Sequence, residues 1–223
     1  IVLEKELSKP YEMIDMVTTP DGSLVAMVHC NNCTSDLNAW VNLFKEYQEL
    51  LGIPVDMDEL YGKLYNIALT GDTDCGGLLS YNYISGEPVT GLAEGRPLFV
   101  RSANDKFNLA NFMRAHLYAS VGVLKIGNDI LFNEEKIKVD RITGHGGLFR
   151  TKGVGQRVLA AAINSPISVM ETAGEGGAWG IALLGSYLVN NKKGQSLADF
   201  LDESVFVSDA GVEVSPTPED VAG

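Results

Sequence analysis

Apolar residues recur at helical spacing in several stretches of this chain and alternate with polar ones in others. Leu37, Trp40, Val41, Phe44, Tyr47 and Leu51 share one face of a helix over Asp36 to Leu51, with Gly52 as its stop. Leu60, Leu64, Ile67 and Ala68 predict a second helix from Met57 to Leu69. The longest stripe is Leu109, Phe112, Met113, Leu117, Val121 and Leu124, on a helix from Asn108 to about Gly127. Leu24 to Cys30 reads as a strand behind the turn Pro20-Asp21-Gly22-Ser23, so residues 1–30 are expected to form a hairpin. Leu78 to Ile84 and Pro97 to Val100 are further strands.

The pattern then changes. Ile137 and Val139 alternate with polar residues as in a short strand, and Gly144, Gly146 and Gly147 follow as a turn. Thr151 is the expected N-cap of a helix whose apolar positions are Val154, Val158, Ala161 and Ala162. A strand over Ile167–Met170 and a helix from about Gly174 to Val189 come next. Strand, helix, strand, helix suggests a right-handed βαβ unit in a partly parallel sheet, hence an α/β fold. The last helix is rich in small residues, Gly177, Ala178, Gly180, Ala182 and Gly185, which suits close packing against another element. Residues 190–223 read as an irregular acidic tail, with one short helix over Ser196 to Leu201.

At 223 residues, 45% of them hydrophobic, the chain can bury one sizeable core. Its formal net charge of −12 repels phosphates, which argues against nucleic acid and anionic membranes as partners. No uninterrupted apolar run approaches the roughly 20 residues of a membrane span. A small phosphate-bearing ligand would need backbone amides or a metal to offset this field. Three cysteines, an odd number, fit a reducing, cytoplasmic setting. Cys30-Asn-Asn-Cys33 lacks the other ligands of a structural zinc site, since a strand would point His29 away from Cys30. Asp72 and Asp74 offer a carboxylate pair or an ordinary solvated turn. His116 borders the long apolar stripe, with no paired carboxylate visible beside it, and reads as a core histidine.

A glycine turn between a strand and a helix is where α/β folds place nucleotides, and it is also an ordinary tight connection. The local residues exclude two common versions. There is no GxxxxGK[ST], because Thr151-Lys152-Gly153 has the wrong order, and Phe149 stands where a dinucleotide fingerprint starting at Gly144 needs its third glycine.

What Thr143-Gly144-His145-Gly146-Gly147 followed by Gln156 does resemble is the nucleotide turn of the FGGY carbohydrate kinases, in the wider actin, Hsp70 and sugar kinase group. Companion motifs fall in that family's order. Glu171 to Ala182 resembles its small-residue helix. Gly76-Gly77-Leu78 through Ser85-Gly86-Glu87 resembles its G-G strand leading to S-G-E-R. Gly95-Arg96-Pro97-Leu98-Phe99 is similar to R-G-x-F with two residues transposed, and Arg114-Ala115-x-Leu117 is similar to R-A-x-L-E-G. Pro88 replaces the Arg of S-G-E-R, and Tyr118 stands where the helix motif has Glu. The likeness runs over about residues 24–190 and is nearest to the xylulokinase and ribulokinase side.

The resemblance implies an actin-like ATPase (ribonuclease H-like) domain, a mixed sheet flanked by helices. It implies that residues 1–223 are the single C-terminal, nucleotide-binding domain of a two-domain enzyme, and the start at Ile1 without Met suits a fragment. The implied reaction is phosphoryl transfer from Mg-ATP to a sugar, a ketopentose such as xylulose or ribulose. Gly146, Gly147 and Thr151 are then expected at the adenine and ribose, with His145 stacking there or at the rim, while Arg150 is either a phosphate contact or, the favoured reading, a solvated arginine. The catalytic Asp and most sugar contacts belong to the family's N-terminal domain, so no catalytic residue is expected here and this half alone is expected to be inactive. A homodimer is left open. The alternative is a non-enzymatic nucleotide-binding or regulatory domain of the same fold.

Overall fold

The computed structural model describes residues 1–170, 176–206 and 211–223. The expected N-terminal hairpin is present: β1 (Asp15–Thr18) pairs antiparallel with β2 (Leu24–Met27), Val17 opposite Val25. Then come α1 (Ser35–Leu50) and α2 (Met57–Ala68), the latter capped by Asp56, whose carboxylate accepts from the Glu59 amide at 3.0 Å. Strands β3 (Leu79–Tyr81) and β4 (Leu98–Val100) form a second antiparallel pair.

The core is built on α3 (Leu109–Asp129), whose cap is Asn108, accepting from Asn111 N at 2.9 Å. The apolar stripe seen in the sequence is buried from Phe112 to Val121, with Met113 and Leu117 fully so, while Leu109 is exposed and Leu124 half-buried; α3 lies against α2 on one side. On the other it meets α4 (Val154–Ile163), which brings Val154, Val158 and Leu159 to the same core. Past α3 the chain makes one π-turn, and Ile130 and Leu131 join a second, smaller core with Leu3, Ile14 and Ala26.

The βαβ unit holds. Strands β5 (Ile142–Thr143) and β6 (Ile167–Val169) are parallel, joined through α4. The strand expected at 137–139 begins at Ile142 instead. Ile137 is drawn into the second core, and its amide donates to Leu131 O at 3.0 Å, just past the π-turn that Glu135 N closes on Ile130 O. Thr151 does not cap α4. Gly153, at φ +78°, turns the chain left-handed just before Val154, and Thr151 contributes only its carbonyl, to Val154 N at 3.3 Å.

Next, α5 (Gly176–Asn190) keeps the expected helix; the residues before Gly176 in that prediction lie outside the described ones. Of its described glycines Gly176 is closely packed, against His145, whereas Cβ atoms built on Gly177, Gly180 and Gly185 meet no described atom within 4 Å. Residues 190–223 are less irregular than their composition suggests. They contain α6 (Leu197–Ser204), capped by Ser196, then β7 (Val212–Val214) and α7 (Pro218–Ala222). Strand β7 pairs antiparallel with the free edge of β6, Val214 opposite Ile167, giving the order β5-β6-β7. Pro218 sits in the first turn of α7, where a missing N–H costs nothing, so it starts a helix rather than breaking one. Among the described residues no helix is long and apolar enough to cross a membrane.

Candidate nucleotide site

The glycine turn leaves directly from the parallel strand pair: Gly144 N donates to Ser168 O at 2.8 Å. Phe149 folds back over Gly144, where a Cβ would come within 2.5 Å of its ring. Gly146 has φ +104° and ψ 179°, a conformation that side-chain-bearing residues rarely adopt. Nothing lies within 4 Å of a Cβ built on Gly146 or Gly147, so this stretch presents bare backbone on an open side. A 3₁₀ turn over Gly147–Phe149 follows, closed by Phe149 N on Gly146 O at 3.0 Å.

Gly147, Leu148, Arg150 and Thr151 form one wall of an open pocket of about 740 Å³. The opposite wall is Thr34 and Asn38 at the start of α1 with Met57, Asp58, Tyr61 and Tyr65 of α2. The Tyr61 hydroxyl donates to Asn38 Oδ1 at 3.0 Å, and the Tyr61 and Tyr65 rings meet edge to face at 5.6 Å. Burial pushes both phenols above their ordinary pKa, so they act as neutral hydrogen-bonding groups. Of the four residues expected at the nucleotide, Gly147 and Thr151 line this pocket and Gly146 adjoins it. His145 is outside the lining and lies against Gly176, whose added Cβ would be 2.9 Å from His145 Nδ1. A wider groove of about 920 Å³ runs between residues 1–5 and 135–143, but it has neither the turn glycines nor an aromatic side chain.

The helical wall was not foreseen, because the α2 stripe was read as core. Tyr61 and Tyr65, one turn apart with polar tips, were the sequence signal for it. Gln156, part of the resemblance, works as a structural clamp: its Nε2 donates to Ile167 O at 3.1 Å and to Val212 O at 2.7 Å, tying β6 and β7 to α4.

The remaining candidates have structural roles. Asp72 accepts from Asn111 Nδ2 and pairs with Lys106 at 3.1 Å, while Asp74 caps a 3₁₀ turn through Gly76 N at 2.9 Å. Burial pushes the Cys30 thiol up to about 12 and raises Cys33 as well, so neither is poised as a thiolate. His116 is buried, as expected, among Trp40, Phe99 and Phe112. A carboxylate does stand beside it: Asp36 Oδ2 is 3.5 Å from Nδ1. Among the described residues no three His, Cys, Asp or Glu side chains are grouped as metal ligands.

Bare glycine backbone facing two tyrosines and a methionine suits a flat base with a polar edge, so the residues present fit the nucleoside part of ATP. A sequence model of the FGGY family of carbohydrate kinases, C-terminal domain, matches residues 1–189. The chain belongs to the FGGY family of carbohydrate kinases. No curated protein matches it in sequence. Among solved structures, xylulose kinase from Rhodospirillum rubrum superposes with a TM-score of 0.66 at 18% identity, over 96% of this chain and 40% of that one. Xylulose kinase from Lactobacillus acidophilus gives 0.65 at 16% identity, over 97% and 41%. Plasmodium falciparum glycerol kinase with ADP gives 0.57 at 18%, over 90% and 36%. These likenesses establish the fold, the actin-like α/β architecture of FGGY sugar kinases. The chain spans about two-fifths of the length of the xylulose kinases it resembles. The FGGY match stops before α6, β7 and α7.

Proposed function

We propose that the full protein transfers the γ-phosphoryl group of ATP to a hydroxyl of a sugar, a ketopentose such as xylulose or ribulose, and that this chain holds the nucleotide. One observation carries the reading: the bare turn Gly146–Gly147 opens on a pocket whose other wall is Tyr61, Tyr65 and Met57. Family membership supports the reaction class, and the xylulose kinase neighbours support the choice of sugar.

In this reading the base lies between the turn and the tyrosines, with Thr151 and Asn38 able to meet its polar edge. The phosphates lie toward the start of α4, where the helix field favours negative charge. Mg²⁺ would enter with the phosphates and supply charge neutralisation in the transfer, because this chain's described residues offer no carboxylate cage of their own. The catalytic base and most sugar contacts belong to another part of the protein, so this chain alone binds nucleotide and does not turn over. The exposed apolar side chains of α5, Ile181 and Leu188, suit packing against that part.

The test is a phosphorylation assay of the full-length protein on a panel of ketopentoses, polyols and hexoses, beside calorimetry with ATP. Phosphorylation of a ketopentose supports the reading. Nucleotide binding without phosphorylation of any sugar would point to a non-enzymatic domain of the same fold. No nucleotide binding would remove the site assignment.

A further inference from the structure

One wall of the pocket is formed largely by α2 and the other by the segment that leads into α4, and on the side away from it a single carboxylate joins their supports. Asp220, on α7, has a side chain 2% exposed and accepts from two arginines. It pairs with Arg114 Nη2, and its other oxygen accepts from Arg157 Nε at 2.5 Å, with Arg157 Nη2 at 3.1 Å from the first. Arg114, on α3 and 3% exposed, also donates through Nη1 to Gly71 O at 3.1 Å, just beyond the end of α2. Arg157 lies in the first turn of α4, immediately after the nucleotide turn. The tie therefore runs from the end of α2, through α3 and α7, to the start of α4. It reaches α2 beside Ala68, one helical turn from Tyr65 in the pocket wall.

Two features say that this tie is not generic packing. The carboxylate comes from residue 220, outside the segment matched by the FGGY model. Arg114 also has no acidic partner on its own helix at i+4. That position is Tyr118, whose hydroxyl accepts from Arg114 Nε at 3.1 Å and Nη2 at 2.8 Å but carries no charge to balance it. Burial alone would raise the Asp220 pKa, yet its bonds to Arg157, Thr217 and Arg114 bring it below the usual carboxylate value.

We propose that Asp220 is a positioning residue for the nucleotide pocket, setting the separation of the Gly147–Thr151 wall from the Tyr61–Tyr65 wall through Arg157 and Arg114. This rests on the nucleotide reading of that pocket. A sub-ångström drift of α4 would open the pocket without touching any group that contacts a sugar.

The experiment uses the full protein with R157Q, D220N and D220E, and reads the Kd of a non-hydrolysable ATP analogue with the KM for ATP and for sugar. R157Q is the main variant, because Arg157 is partly exposed and its loss leaves the buried Arg114–Asp220 pair intact if D220N fails to fold. The expected result is a roughly tenfold weaker Kd and raised KM for ATP in R157Q, with the sugar KM unchanged and partial recovery in D220E relative to D220N. A lower unfolding midpoint in R157Q with wild-type nucleotide Kd would make the tie purely structural and overturn the proposal. If the wild-type protein itself binds no nucleotide, the pocket assignment fails first, and that trace separates the two failures.

Discussion

His145 and Gly176 are in contact: a methyl group added to Gly176 would lie 2.9 Å from Nδ1, 3.0 Å from Cβ and 3.1 Å from Cγ of His145. The glycine turn and the small-residue helix, far apart in the chain, thus meet at one point. Because the contact includes the histidine Cβ, a rotamer change alone does not relieve it. G176A is expected to cost about 1 kcal/mol and to move the turn, weakening ATP binding severalfold. G177A, with open space around it, should leave binding unchanged and slightly stabilise the helix. Thermal unfolding and nucleotide titration of the pair check this, and equal behaviour of the two variants would contradict it.

Tyr61 separates ring contact from hydrogen bonding at the pocket. Y61F loses only the 3.0 Å bond to Asn38, worth about 1 kcal/mol, and should bind ATP within about threefold of wild type. Y61A removes the face opposite the turn and should weaken binding by roughly tenfold or more. Wild-type affinity in Y61A would place the base elsewhere.

His116 makes stability depend on pH. Its Nδ1 is 3.0 Å from Ser80 Oγ, its Nε2 is buried without a partner among the described residues, and burial lowers its pKa to about 4. The folded pKa lies below the unfolded value, so the folded state takes up the proton later. Stability from this group is complete above about pH 6.5, erodes as pH falls toward 4 and levels off below that. The loss is at most about 3 kcal/mol, and the nearby Asp36 carboxylate, itself raised by burial, reduces it. Denaturant unfolding at pH 7.5, 5.5 and 4.5 should show a shallower decline in H116Q than in wild type. Parallel curves would show that His116 is not the group responsible.

Gln156 holds β6 and β7 to α4 through two carbonyls. Q156A should destabilise the protein by about 2 kcal/mol and increase hydrogen exchange at β7 before it affects the other strands. Unchanged protection of residues 212–214 would show that the strand stands without this clamp.

Much of this was legible in the sequence, for identifiable reasons. Helices α1, α2 and α3 announced themselves because apolar residues recur on one face of each, although the stripes run past the core and leave Tyr47, Leu51, Ile67 and Leu109 exposed; the hairpin did so because Pro20-Asp21-Gly22 has few other conformations to adopt. The glycine turn was legible because bare backbone in a left-handed conformation requires glycine. What was hidden depends on distant partners. Tyr61 is a helix-face tyrosine until Gly147 is placed across from it. Asp220 is one more acid in an acidic tail until Arg114, 106 positions earlier, reaches it. Asp36 was not associated with His116 because 80 residues separate two groups that α1 and α3 bring together. The helix start at Gly153 rather than Thr151 turned on one left-handed residue that a capping pattern does not register.

Strand β7 carries a consequence for how the domain is made. Its partner β6 is flanked on one side by β5, which precedes it in the chain, and on the other by residues 212–214. During synthesis the outer edge of β6 stays unpaired, and the Val212 carbonyl that Gln156 needs is missing, until those residues leave the ribosome. An unpaired strand edge invites other chains, so the nascent domain is most prone to aggregate in that interval. A shortened version ending at residue 189 would remain in that vulnerable state permanently, and expression of this domain therefore calls for a boundary beyond α7.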